Sequence, residues 1–248
     1  MPADMNKLLP TEWIKLRRSI IWLLLPISPL LAALSGWSPL DIGKEPLQAW
    51  QEALAVGATV HGLFFLPLLT GICAALICRY EHAAGGWKQL AALPVRRSSV
   101  YLAKMTVLAA LLALLQLLYG AAMLVGGMLK GAPIDAIPWE MIGMLVGYGW
   151  LASLPLAALQ LWVSTAWQSF AAPLAVNVVF TLPNMLVTNS EDIAPWYPWA
   201  QPLLAMMPQD RYDVGAFTVS VETLFIVVAG SFVVFLGAGW TSFLRRAV

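Results

Sequence analysis

The chain has 248 residues, of which 60% are hydrophobic and only 11% charged, with a formal net charge of +1. That composition excludes a soluble domain and describes an all-α, polytopic membrane protein with one compact membrane domain over residues 1–248. So small a net charge says nothing about nucleic acid, and no nucleic-acid partner is expected.

The N-terminal residues 5–18 set Leu8, Leu9, Trp13 and Leu16 against Lys7, Lys15 and Arg17. This reads as an amphipathic helix lying on the membrane surface and leading into a first span. Glu12, Trp13, Lys15, Arg17 and Arg18 are its candidate functional residues. Basic residues ahead of an apolar run also resemble a signal peptide, but the charge-free run 19–40 is too long for one and reads as a retained span at 20–36. Spans follow at 55–78 and 105–129; the runs 53–78 and 105–129 hold no charged residue, and about 20 apolar residues suffice to cross. Residues 141–163 and 170–187 give spans four and five, divided by a polar turn at Ser164, Thr165, Gln168 and Ser169. The sixth is 221–244. Residues 189–217, rich in Trp, Tyr and Pro, form an external element whose aromatics suit the headgroup layer; within it, 199–207 is a candidate re-entrant helix, viable only when packed against protein.

Orientation follows from basic residues. Six spans with an internal N-terminus put eleven of the fourteen on one side and leave Lys44, Lys130 and Arg211 on the other. Both termini are therefore expected in the cytoplasm.

The loop 79–104 carries the most information. Glu81 follows the second span. Gly85 and Gly86 free the backbone to turn into the membrane plane. Trp87, Leu90 and Ala91 recur with helical spacing, Lys88 and Gln89 face water, and Pro94 stops the helix. Arg96 and Arg97 then hold the anionic surface, and Lys104 closes the entrance to span three. The order Glu81, Gly85-Gly86-Trp87-Lys88, Leu90, Pro94-Val95-Arg96-Arg97, Tyr101-Leu102-Ala103-Lys104 resembles the cytoplasmic loop of ABC-2-type transporter permeases, most of all the lantibiotic-immunity and bacitracin-type export branch. The start Glu12-Trp13-Ile14-Lys15 is similar to that branch's E-x-x-K lead-in. The resemblance implies a coupling helix over 85–93 that docks on a separate ABC ATPase subunit, with Glu81 at the joint. It also implies a second permease subunit, identical or paralogous, in a bacterial inner membrane, and an amphipathic cargo such as an antimicrobial peptide.

The chain is not expected to bind nucleotide or a metal itself. Its nearest approach to a P-loop, Gly43-Lys44, has Ser38 and Glu45 where Gly and Ser/Thr belong, so ATP and Mg would sit on the partner. His61 and His82 fall at opposite sides of the membrane and match no hydrolase or metalloprotease motif. Cys73 and Cys78 diverge by about 140° on a helix and read as packing residues. Polar residues inside spans are costly, which makes Gln116, Gln160, Asn177, Asn184 and Glu222 candidates for a translocation path. Gly143 and Gly147 form a weak GxxxG. The rival reading is a non-transporting scaffold or signalling component whose inner loop docks a different cytosolic protein.

Overall fold

The computed structural model describes residues 2–38, 45–82, 86–87, 95–167, 169–207 and 215–245. Eleven α-helices lie among the described residues: α1 Pro2–Leu16, α2 Ile21–Leu24, α3 Ile27–Gly36, α4 Pro46–Val60, α5 Leu66–His82, α6 Arg97–Leu129, α7 Trp139–Ala166, α8 Ala171–Thr181, α9 Asn184–Val187, α10 Gln201–Met206 and α11 Val221–Arg245. A π-helical turn, His61–Phe65, joins α4 to α5. Short 3₁₀ turns supply several of the other links.

Four continuous helices are long and apolar enough to cross a membrane: Pro46–His82, Arg97–Leu129, Trp139–Ala166 and Val221–Arg245. A fifth is reached only by counting Leu8–Leu16 with Ile21–Gly36, which are bent by 67°. Of the expected six spans, four or five have candidates among the described residues, and the runs that lack a continuous helix are broken at proline. Pro26 ends the first attempt after α2 and restarts it as the ten-residue α3, about 15 Å long and half a bilayer core. Pro183 likewise divides the expected fifth span into α8 and α9, and Ala171–Val187 is too short to pass as a continuous span.

The expected second span starts nine residues early, at Pro46 rather than Ala55, because the extra turns are covered. Trp50 is fully buried, packs edge-on against Trp37 at 4.7 Å and donates to the Pro133 carbonyl. Trp37 donates in turn to the Met123 carbonyl. Gly126 and Gly127 make room for these rings, since an added methyl at either would overlap an indole. The third span also starts early, at Arg97, which puts Lys104 two turns inside α6 instead of at its mouth.

The π turn has a local cause. Pro67 lacks an N–H and cannot bond the Leu63 carbonyl one turn back. Asn184 Nδ2 donates to that carbonyl at 2.8 Å and to the Trp199 carbonyl at 2.9 Å. Asn177 Nδ2 reaches the Pro67 and Leu68 carbonyls at 3.0 and 3.2 Å across Gly71, where any side chain would collide with it. Asn177 Oδ1 accepts from Gln160 Nε2 and from the Trp199 indole. The broken helix α8–α9 is thus fastened to the π turn through side-chain amides.

The segment expected outside, 189–217, folds back on this network. All six residues of α10 are buried, so the expected short helix does pack against protein. Trp199, expected in the headgroup layer, is 5% exposed and stacks on Phe180 at 5.0 Å; Trp196 alone of the two tryptophans stays open, at 68%. On the far side of the bundle, Gly143 and Gly147 meet nothing within 4 Å, and most of α11 is exposed, with only 17% of its apolar window covered.

Asn177→Leu is expected to lower unfolding stability by about 2–3 kcal/mol, since it orphans two buried carbonyls and two donors at once. Asn189→Leu, whose amide is exposed and bonds only the carbonyl four residues back, should cost under about 0.5 kcal/mol. Detergent-solubilised thermal or SDS unfolding of the two variants measures the difference.

Candidate coupling site

Three helices converge where the loop 79–104 leaves and re-enters the bundle. In α1, Leu8, Glu12 and Leu16 lie on one face at helical spacing, and all three are buried. The buried face of the N-terminal helix therefore contains a carboxylate, while Trp13, expected on the apolar face, is 51% exposed and packs edge-on against Trp22. Leu8 sits against Val100 and Ala103 of α6. Glu81 comes from the last turn of α5 and Lys104 from α6.

These residues form one charge cluster. Lys104 is fully buried, and Glu12 and Glu81 are each 3% exposed. Its ammonium lies 3.0 Å from Glu12 Oε2, 3.0 Å from Glu81 Oε1 and 3.1 Å from the Ile77 carbonyl. An ammonium has three protons to donate, and each has an acceptor. Lys15, three residues after Glu12, reaches Glu12 Oε1 at 2.7 Å and Glu81 Oε1 at 2.6 Å from the cluster's open edge. Two cations and two anions cancel. A carboxylate at a helix C-terminus is disfavoured by the helix dipole, so Glu81 depends on the lysines to be tolerated there.

A second arrangement abuts the first. Gly86 lies against the end of α5; a Cβ there would stand 2.8 Å from the Glu81 Cα and 2.9 Å from the Tyr80 carbonyl oxygen. That close approach is the physical need for glycine at 86, a steric reason different from the backbone freedom expected of the Gly pair. Trp87 next to it donates its indole N–H to His82 Nδ1 at 3.1 Å, and its ring lies 5.9 Å from the Lys104 ammonium. His82 Nε2 bonds the Ser164 carbonyl at 2.7 Å. A carbonyl only accepts and the indole only donates, so His82 is the neutral Nε2–H tautomer. Trp87 also packs edge-on against Phe243 near the end of α11 at 5.4 Å. One tryptophan from the loop thus touches the ends of α5, α7 (through His82) and α11.

The remaining predicted residues are placed as follows. Gly85, Lys88, Leu90 and Pro94 lie outside the described residues, as does most of the expected helix 85–93. Arg96 precedes α6 in extended conformation and is exposed, as are Arg97, Arg17 and Arg18. The candidate path residues are not brought together at the charge cluster. Asn177, Asn184 and Gln160 belong to the amide network, Gln116 is buried beside Met206 with its Nε2 3.8 Å from the sulfur, and Glu222 is exposed in the first turn of α11. Sequence reasoning missed His82 as a hub and Lys104 as a buried partner of Glu12. The available signal was the pairing of two opposite charges on α1 with one of each sign flanking the loop. No group of His, Cys, Asp or Glu among the described residues has the geometry to hold a metal.

The profile of the ABC-2 family transporter proteins matches residues 8–184, which span all four charged residues of the cluster. The chain belongs to the ABC-2 transporter family. It is a membrane permease component, and membership implies partnership with an ABC ATPase. The match ends at Asn184, so the outer element and α11 lie beyond it. No curated protein matches the chain.

In this ABC-2 permease, Lys104→Met leaves two buried carboxylates facing one lysine and should cost about 3–5 kcal/mol. Lys15→Met removes the partly exposed cation and should cost about 1 kcal/mol or less. Equal losses in an unfolding titration of the two purified variants would mean that Lys104 is not paired as described.

Proposed function

We propose that the chain is the membrane-spanning subunit of an ATP-driven exporter in a bacterial inner membrane, paired with a second permease subunit and two ABC ATPase subunits. Both termini and the charge cluster face the cytoplasm in this reading, in keeping with the eleven basic residues that the sequence assigns to that side. The carrying observation is the cluster of Glu12, Lys15, Glu81 and Lys104, which bonds the surface helix α1 to both ends of the loop 79–104.

A motor pressing on that loop needs something to push against. A loop held at only one end would absorb the displacement in its own backbone. Here Glu81 and Lys104 clamp the two ends together at 3.0 Å and Glu12 adds α1, so α1, the lower part of α5 and the start of α6 move as a unit. Trp87 passes the same displacement to α7 and α11 through His82 and Phe243. The helix expected over 85–93 is the proposed docking element for the ATPase, with Gly85, Gly86, Trp87, Lys88, Leu90, Pro94, Arg96 and Arg97 as its candidate residues. Resemblance to the lantibiotic and bacitracin branch supports an amphipathic cargo and a resistance role. The candidate translocation residues are Gln116, Gln160, Asn177, Asn184 and Glu222.

Glu81→Gln tests the coupling. It keeps shape and loses the charge between the two lysines. In proteoliposomes holding permease and ATPase, the complex should still assemble and hydrolyse ATP, while cargo moved per ATP falls about tenfold, a coupling loss within the usual range. Unimpaired cargo movement by an assembled variant would show that the joint does not transmit the stroke.

A further inference from the structure

At the end of the bundle opposite the charge cluster, the start of α7, the end of α10 and the start of α11 enclose a cleft of about 710 Å³. Its size falls in the range of drug-sized ligands, 300–1,000 Å³ by order of magnitude, and admits no whole peptide. Four of its lining residues are methionines, Met141, Met144, Met206 and Met207. Thioether side chains are flexible and polarizable and adapt to ligands of varied shape. Three aromatic residues, Trp139, Tyr148 and Phe225, complete the wall, the last two packed edge-on at 4.9 Å. Trp139 is 62% exposed, so the cleft can be entered from the surface.

The polar content is one-sided. Glu140, in the first turn of α7, is the charged residue among the described residues lining the cleft, and it makes no ion pair among them. Glu12 and Glu81, the buried carboxylates among the described residues, are matched to lysines; Glu140 is exposed at the edge of the cleft beside its aromatic wall and has no cation paired with it among the described residues. Aromatic faces attract organic cations, most strongly when water is excluded. Met206 closes the inner wall, lying between the cleft and the buried Gln116 amide.

We infer that this cleft binds a drug-sized lipophilic organic cation, its apolar body among the methionines and its positive centre against Glu140 and the aromatic rings. The site deepens the exporter reading by naming a cargo class, and it rests on that reading only for the direction of transport.

The experiment uses the full chain in zwitterionic nanodiscs, with neither ATPase nor nucleotide. Tetraphenylphosphonium is titrated calorimetrically, beside neutral triphenylphosphine oxide of similar shape. Wild type should show saturable binding of the cation, about tenfold weaker in Glu140→Gln, a change of about 1.4 kcal/mol. The neutral compound should bind weakly and equally to both. Phe225→Ala should weaken both compounds. Equal cation affinity in wild type and Glu140→Gln, equal preference for the neutral compound, or no saturable binding by folded wild type would each overturn the site. Co-purification of an ATPase is scored separately. A bound ATPase without cation binding removes this site and leaves the exporter, and cation binding without an ATPase does the reverse.

Discussion

The structure depends on placing three charges, Glu12, Glu81 and Lys104, where water barely reaches, with Lys15 at their open edge. Burying opposite charges adds little net stability, because desolvation offsets most of their attraction. What the arrangement secures is register. Lys104 is satisfied only when Glu12 on α1, Glu81 on α5 and the Ile77 carbonyl all stand within about 3 Å of it. A one-residue slip of α6 turns the side chain through about 100° and strands a cation in an apolar core. The loop between Glu81 and Lys104 therefore inherits fixed endpoints, whatever conformation it takes between them.

A second constraint acts at mid-helix. Pro67 cannot complete the hydrogen-bond ladder of the 37-residue helix Pro46–His82, and the π turn His61–Phe65 sits one turn before it. Inside a membrane protein a freed carbonyl must find a protein donor. Asn184 provides it, and Asn177 serves the Pro67 and Leu68 carbonyls, four and five residues on. The same turn brings His61 Nδ1 within 2.6 Å of Ser28 Oγ on α3 and stacks its ring on Tyr119 at 4.6 Å. The two proline-broken helix pairs, α2–α3 and α8–α9, are both attached at the place where the central helix is irregular.

Apolar run lengths made the long helices, the polar turn between α7 and α8 and the special character of 79–104 legible in the sequence. Span count was not, because a charge-free run records hydrophobicity and not straightness; Pro26 and Pro183 each shorten a run that composition passes. The buried face of α1 was misjudged for a related reason. Helical spacing puts Glu12 on the face of Leu8 and Leu16, and only a lysine 92 residues later in the chain makes a carboxylate tolerable there. Trp199 was placed in the headgroup layer on residue type alone, yet Asn177 and Phe180 hold it in the core. The E-x-x-K pattern at Glu12 and Lys15 and the flanking Glu81 and Lys104 were each visible singly. Their union was not, since it needs three helices in register.

The two ends of the molecule communicate through little material. α5 begins at the π turn and ends at Glu81, so the charge cluster and the π turn are attached to opposite ends of one 17-residue helix, about 25 Å apart. On the π turn rests α10: a Cβ on Gly62 would stand 3.1 Å from the Leu203 Cα, and Asn184 ties the Leu63 carbonyl to that of Trp199. Met206, three residues after Leu203, is a wall of the outer cleft. On the proposed coupling, a tilt of α5 driven at Glu81 would reach α10 with little loss, because packed helices slide or rotate as units rather than compress. The irregular turn lies midway along this route, and Asn184 is the side chain that bonds the carbonyl it leaves free.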